Sequence, residues 1–353
     1  MPFADLLGHA PQRELLTRAL RDGRVPPSLL FSGPDGVGKR TLALALARAL
    51  LCARREDPGC GVCSHCRRVL GSLAAIEEWR ERARGSQDGA AMNHRLHPDV
   101  ILVEPWTTTK EGETKAKAEI KVEQIRELVT ETFGRPFEAK ARCFVVDGAH
   151  LMNPAAANSL LKSLEEPPTT THFVLVTSSP QALLPTILSR CQTLRFAALP
   201  TSILAPFLKD KLGLDDAEAR LRTALSGGSV ARALEFDSGV AQTLRAEALG
   251  ALESGGRPLA KLEAAQTLAD SDDLTLALLA MRSLLRDIAA IRAGVESGSL
   301  VNQDMLEPLS RLAKTAVGAQ AGELAEKIQE TLLAVQGNAS KLLASDALLD
   351  LVP

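Results

Sequence analysis

The sequence contains no tyrosine, two tryptophans and nine phenylalanines, so aromatic residues make up only 3% of its 353 positions. A platform of rings on which single-stranded bases stack is excluded as the basis of function, because it needs several aromatic side chains along one face. An excess of charge is missing as well: 41 basic against 43 acidic residues leave a net charge of −2. A chain so balanced has no long-range pull toward a phosphate backbone, and any contact with nucleic acid has to be local or shared with partners. No apolar run approaches the ~18 residues that read as a membrane span. The opening stretch MPFADLLGHAPQRELL also lacks a basic segment followed by an apolar one, the order of a secretion signal. The expectation is a soluble cytoplasmic protein with no membrane partner, and reducing surroundings for its six cysteines.

What is present is a core of Leu, Ala and Val within an apolar fraction of 45%, on a chain long enough for two or three domains. Four nearly continuous apolar runs, 28–33, 99–104, 142–148 and 172–178, read as strands covered on both faces. They alternate with helical stretches such as 39–52 and 154–166, the second opened by Asn153 as a cap with Pro154 behind it and closed at Pro167. This alternation predicts an α/β layer built on a mainly parallel sheet over about the first 200 residues. Beyond Pro200 the strand signals stop. Asp215 and Glu218 have the spacing of a capping box, and Gly227 with Gly228 ends the helix that follows, so 201–245 reads as a small helical unit. From about 250 onward Leu274, Leu278, Met281, Leu285 and Ile288 recur in steps of four and three, the core face of a helical bundle. The stretch 80–96 has the least periodic pattern and is expected to be a surface excursion.

Two motifs carry chemistry. The stretch GPDGVGKRT, residues 33–41, follows a strand and opens a helix, as a phosphate-binding loop does. Gly33, Pro34, Gly36, Gly38 and Lys39 supply the turn, the inward N–H groups and the ammonium that meet phosphates. Arg40 stands where a hydroxyl would hold Mg²⁺, and Thr41 comes one residue late, about 100° further round the helix. The strand end FVVDGAH offers Asp147, but Gly148 replaces a second carboxylate that would polarise water. Both gaps weaken the same hydrolysis. ATP or ADP can still be a ligand, with Arg40 itself a counter-charge for phosphate.

The second motif is Cys52, Cys60, Cys63 and Cys66 in the spacing C-x7-C-x2-C-x2-C. Four thiolates so close suit a closed, structural tetrahedral zinc site; disulfides or a redox centre are the alternatives. His65 lies within the cluster and could replace one ligand, whereas Cys143 and Cys191 stand alone and read as buried small hydrophobes.

Taken together, the opening stretch, the phosphate loop with its four-cysteine insert, HPDVILVEP, IKVEQIREL, NSLLKSLEEPPTTTHFVLVTSSP, ILSRCQTLRF and GNASKLLASDALLDLV resemble the AAA+ clamp-loader family of bacterial DNA polymerase III. The resemblance covers nearly the whole chain. It implies a RecA-like AAA+ domain over 1–200 with the zinc module inserted at 52–66, a helical lid at 201–245 and an all-α collar at 246–353. It also implies that Arg190, in the triad Ser189, Arg190 and Cys191, reaches in trans to ATP on a neighbouring subunit, and that Thr177 and Ser178 fill the first sensor position. Arg232 lies one residue off the second sensor. Motor and delta subunits are the implied partners, with the sliding clamp and primed DNA met through the assembly. The incomplete loop points to a non-hydrolysing stator. Rival readings are a motor ATPase using Thr41 and Asp147, and a zinc-dependent nucleic-acid-binding module.

Overall fold

A computed structural model of the protein describes residues 6–54, 59–83, 93–108, 117–253, 274–336 and 340–350. The chain divides into two compact units, residues 1–197 and 198–353.

The described strands of the first unit are β1 (Ser28–Ser32), β2 (His94–His97), β3 (Val100–Val103), β4 (Trp106–Thr108), β5 (Lys117–Glu119), β6 (Arg142–Asp147), β7 (Thr171–Thr177) and β8 (Gln192–Arg195). Six of them form one sheet in the order β2-β3-β6-β7-β1-β8, parallel throughout except for β2 at one edge. The helices are α1 (Ala10–Arg21), α2 (Lys39–Leu51), α3 (Ser64–Ala83), α4 (Val122–Thr132), α5 (Pro154–Glu165) and α6 (Pro185–Leu188). Side chains alternate across the sheet as the pleat requires. Leu29, Phe31, Cys143 and Val145 face one apolar layer with Leu42 and Leu46 of α2, while Leu30, Phe144, Val146 and Phe173 face a second with Leu128 of α4 and Leu160 of α5. Strands sandwiched in this way have no polar face, which is why they read as unbroken apolar runs.

The four expected strands and the cap of α5 are all present; the Asn153 side chain accepts from the Ala156 N–H at 2.8 Å. The 80–96 excursion is corrected at both ends. Residues up to Ala83 continue α3, and His94–His97 form β2 against β3, where Leu96 and His97 are buried. Its middle, 84–92, lies outside the described residues. Strand β8 and the β4–β5 hairpin were not expected: each is three or four residues long, too short for a periodicity to register.

The second unit, among its described residues, is all helix: α7 (Thr201–Leu212), α8 (Asp216–Leu225), α9 (Val230–Leu234), α10 (Ser238–Glu253), α11 (Leu274–Arg292), α12 (Leu306–Leu312), α13 (Ala316–Gln336) and α14 (Lys341–Asp350), with short 3₁₀ turns between. Leu274, Leu278, Met281, Leu285 and Ile288 lie in its core, as the spacing requires. Leu225 at the end of α8 joins that same core. Two buried polar anchors hold the helices in register. Asp287 accepts from the Val301 and Asn302 N–H groups, and Arg245 grips the Asp304 carboxylate through two nitrogens at 2.9 and 2.7 Å.

Candidate functional site

The glycine-rich loop leaves β1, which lies between β7 and the edge strand β8, and delivers the chain into α2. Gly33 is fixed by packing: a Cβ there would fall on the Phe196 carbonyl oxygen, well inside contact distance. Phe196 is itself tied down, its N–H donating to Ser32 O at 2.7 Å. Gly36 and Gly38 take φ of 72° and 105°, a region that side chains avoid. His9, the one described non-glycine with positive φ (52°), braces the loop from outside through Nε2 and Val37 O at 2.8 Å, with its ring edge-on to Phe196. Sequence reading missed His9; a histidine held in the left-handed region leaves no periodicity to detect.

Lys39 turns back on its own loop, Nζ donating to Gly33 O at 2.6 Å and Pro34 O at 2.5 Å. Burial lowers its pKa, opposed by the carboxylates of Asp35 and Asp147. Thr41 is exposed.

Arg40 is where the site departs most from a metal-dependent one. Its Nη1 lies 3.0 Å from Glu104 Oε1, its Nε 3.6 Å from Asp147 Oδ2 and its Nη2 3.9 Å from Glu77 Oε1. Glu104 follows β3 and Asp147 ends the neighbouring parallel strand β6, so both carboxylates emerge from the same edge of the sheet. Burial raises the Asp147 pKa, Arg40 opposes the rise and Glu104 adds to it. Mg²⁺ demands carboxylate oxygens at about 2.0–2.1 Å in an octahedral shell, and a guanidinium between these two carboxylates excludes that shell. The residues present therefore do not fit the ion. Gly148 adds a second reason: it sits at φ 73°, and a Cβ there would lie 2.9 Å from Pro105 Cγ. No carboxylate can stand there without moving a proline ring.

The remaining expected polar groups fall at the ends of neighbouring elements. The Thr177 hydroxyl, buried, accepts from the Ser179 N–H at 3.1 Å, while Ser178 Oγ lies 3.3 Å from His150 Nε2. Arg190 follows α6 on the surface, where it donates to Glu165 Oε1 at 2.5 Å and to Thr186 O at 3.0 Å. In the single chain it is thus an ion-paired surface arginine. Arg232 lies in the second unit, on α9 behind the Ser229 cap.

The four cysteines converge as their spacing demands: the Sγ atoms of Cys52, Cys60, Cys63 and Cys66 all lie within 4.8 Å of one another, with no disulfide. A zinc tetrahedron with Zn–S bonds of about 2.3 Å separates its sulfurs by roughly 3.8 Å, so the cluster fits the ion. Burial works against ionising Cys63, yet backbone hydrogen bonds at Ala53 and Cys66 and thiol bonds from Cys66 and Cys60 bring it down to about 6. Cys143 and Cys191 are buried apart from the cluster, and burial pushes both thiols up to about 12.

His65 is not a fifth member. It pairs with His97, Nδ1 to Nε2 at 3.0 Å. His97 Nδ1 accepts from the Asp99 N–H at 3.0 Å, so its proton sits on Nε2 and is donated to His65. Glu138 lies 3.8 Å from the same Nε2 and is held by Arg68 at 2.7 Å. These three side chains could be mistaken for a metal site, but a neutral His97 already committed at both nitrogens offers no lone pair. They pin the cysteine module to the sheet edge instead.

A glycine-rich loop between an inner strand of a mainly parallel sheet and a helix, with acidic groups at the ends of two other adjacent strands, defines a phosphate-loop protein. The family model described as DNA polymerase III, delta subunit, matches residues 8–78 and 72–200, more than half of the chain. The delta′ subunit of Yersinia pestis is 29% identical over 350 residues, covering 97% of this chain and 93% of that protein. The delta′ subunit of Bacillus subtilis is 32% identical over 225 residues, 63% of this chain and 57% of that protein. The gamma/tau subunit of Mycobacterium tuberculosis is 33% identical over 233 residues, 64% of this chain; the chain spans only 35% of that longer protein. A gamma subunit-related protein of Thermotoga maritima aligns over 96% of this chain and 97% of its own at 20% identity, with a TM-score of 0.40. The chain belongs to the DNA polymerase III delta-subunit family of clamp-loader proteins and is of the delta′ type. Among the described residues no helix is long and apolar enough to cross a membrane.

Proposed function

We propose that the protein is the non-hydrolysing, stator-type subunit of a replicative clamp loader, working beside motor and delta subunits to place a sliding clamp on primed DNA. The observation that carries this reading is Arg40, whose guanidinium lies between Glu104 and Asp147 where a working site would gather a divalent cation. Gly148, closed to any side chain by Pro105, supports it. The loop is then a structural turn that can still receive ATP or ADP on Lys39 and the inward N–H groups of Gly36 and Gly38. The four cysteines hold a structural zinc ion. Of the second unit, 201–245 is the lid and 246–353 the collar through which the subunits associate.

Arg190 contributes to its neighbour. A guanidinium at a subunit surface stabilises charge on a γ-phosphate bound next door, the role of an arginine finger given in trans. Its exchange of Glu165 for phosphate needs only a side-chain rotation, because the Glu165 pair is exposed to solvent and worth little. The test is ATP hydrolysis by the complex reconstituted with motor and delta subunits, clamp and primed DNA. Arg190→Ala is expected to leave assembly intact and to lower the complex's turnover by roughly 10³-fold at the one interface it serves. Unchanged turnover refutes the trans role. A turnover by this chain alone that vanishes on Lys39→Ala refutes the stator reading in favour of a motor.

A further inference from the structure

We infer that Arg40 is an internal cation that takes the place of the divalent metal, so that the loop works, or rests, without one. Three observations meet on this side chain. It leaves the first turn of α2, immediately after Lys39, where a phosphate loop ordinarily presents its metal-binding hydroxyl. Its Nη1 and Nε face Glu104 and Asp147 at 3.0 and 3.6 Å, from two adjacent strand ends. It is also mostly buried: 29% of the side chain is exposed, against 15% for Glu104 and 23% for Asp147, so the contact is shielded from bulk water.

The charges explain the arrangement. Two carboxylates close together in a partly buried site repel each other, and one of them protonates unless a cation lies between them. A divalent ion would do this at the cost of shedding water and demanding a near-octahedral shell. A guanidinium does it with a fixed, always-charged plane that needs no shell. His94 Nε2 lies 3.2 Å from the other Glu104 oxygen, Glu77 lies 3.9 Å from Arg40 Nη2, and Lys39 adds a second positive charge near Asp147. Arg40 is covalently part of the chain, so it is present at a fixed, high local concentration that a free metal ion must compete against.

Removing the guanidinium should uncover a metal site made of Glu104 and Asp147. The measurement is uptake of Mn²⁺ by the full-length, zinc-loaded protein, followed as loss of the electron paramagnetic resonance signal of free Mn²⁺. The wild type is expected to show only weak, unsaturable uptake that Asp147→Asn does not change. Arg40→Ser is expected to bind Mn²⁺ more tightly by roughly tenfold or more, as two carboxylates lose their internal counter-charge. That binding should be displaced by Mg²⁺ and abolished by adding Asp147→Asn. Arg40→Gln, which keeps most of the side chain's bulk, gives the same reading if the serine variant does not fold. Wild-type protein that binds Mn²⁺ saturably and loses it on Asp147→Asn overturns the inference, as does a folded Arg40 variant that gains no metal. Metal uptake is read without ATP turnover. Its outcome is therefore separable from that of the Arg190→Ala assay, although both rest on the reading of a loop that does not hydrolyse.

Discussion

The cysteine module and the phosphate loop lie at the two ends of α2, and they stand in opposite relation to their ligands. At the far end Cys52, Cys60, Cys63 and Cys66 bring four thiol donors together. At the near end the shape of the loop is kept to the last glycine, while every group that would hold a metal is replaced or answered by a side chain of the protein itself. Where neighbouring elements need a backbone turn, its shape is held independently of the charged groups around it. Gly33 is required by Phe196 whatever the loop binds. The cysteine module rests on a different kind of group: Cys52 and Cys66 are buried, Cys60 and Cys63 partly so, and the four converging thiols are a donor set of the kind whose folding is coupled to an ion when one binds.

The largest effect should come from breaking the complete site. Cys63→Ser is expected to abolish stoichiometric zinc, measured by elemental analysis, and to cost about 3 kcal/mol or more, lowering the thermal midpoint by roughly 6–12 °C. A variant that keeps full zinc content and full stability would place the ion elsewhere.

The next effect sharpens the contrast inside the loop. Gly33→Ala is expected to destabilise by about 2–3 kcal/mol, because its Cβ displaces the Phe196 backbone. Lys39→Ala should cost only about 1 kcal/mol, since it removes two hydrogen bonds to loop carbonyls that water can then reach. Urea denaturation distinguishes them. If the lysine proves the costlier loss, the loop is held by its charge and not by its packing.

The most conditional effect, present only where Asp99 is ionised, concerns the buttress of the cysteine module. Burial opposes ionisation of Asp99, yet the N–H groups of Glu138, Ala139 and Phe137, together with Arg142, hold its carboxyl below the usual range. A depressed pKa stabilises the fold above the unfolded value, and that stability is lost as pH falls through the folded one. Asp99→Asn should therefore cost about 2 kcal/mol at neutral pH, with the difference from wild type narrowing only below about pH 4. A difference that is constant across pH would show that Asp99 acts by shape alone.

The parallel sheet was legible because its inner strands are buried on both faces, and a run such as RCFVVD has few other places to go. The bundle face from Leu274 to Ile288 was legible for the same reason, in the helical period. Short or edge elements were not: β2 carries two histidines and an arginine, and it is a strand only because β3 offers it an edge. The cysteines could be assigned as a set from spacing alone, since ligands close in sequence are close in space.

Glu104 shows the limit. In the sequence it is the polar end of a strand, 64 positions from Arg40 and 43 from Asp147, and no local pattern joins the three. The sequence by itself determined that the chain has a glycine-rich turn between a strand and a helix, a four-thiol cluster, and a missing hydroxyl and carboxylate, all of them matters of residue type at short spacing. Only the tertiary structure decided what fills the gap. Parallel strands connected through helices bring distant strand ends to one edge of the sheet, and there the Arg40 guanidinium meets the two carboxylates it neutralises.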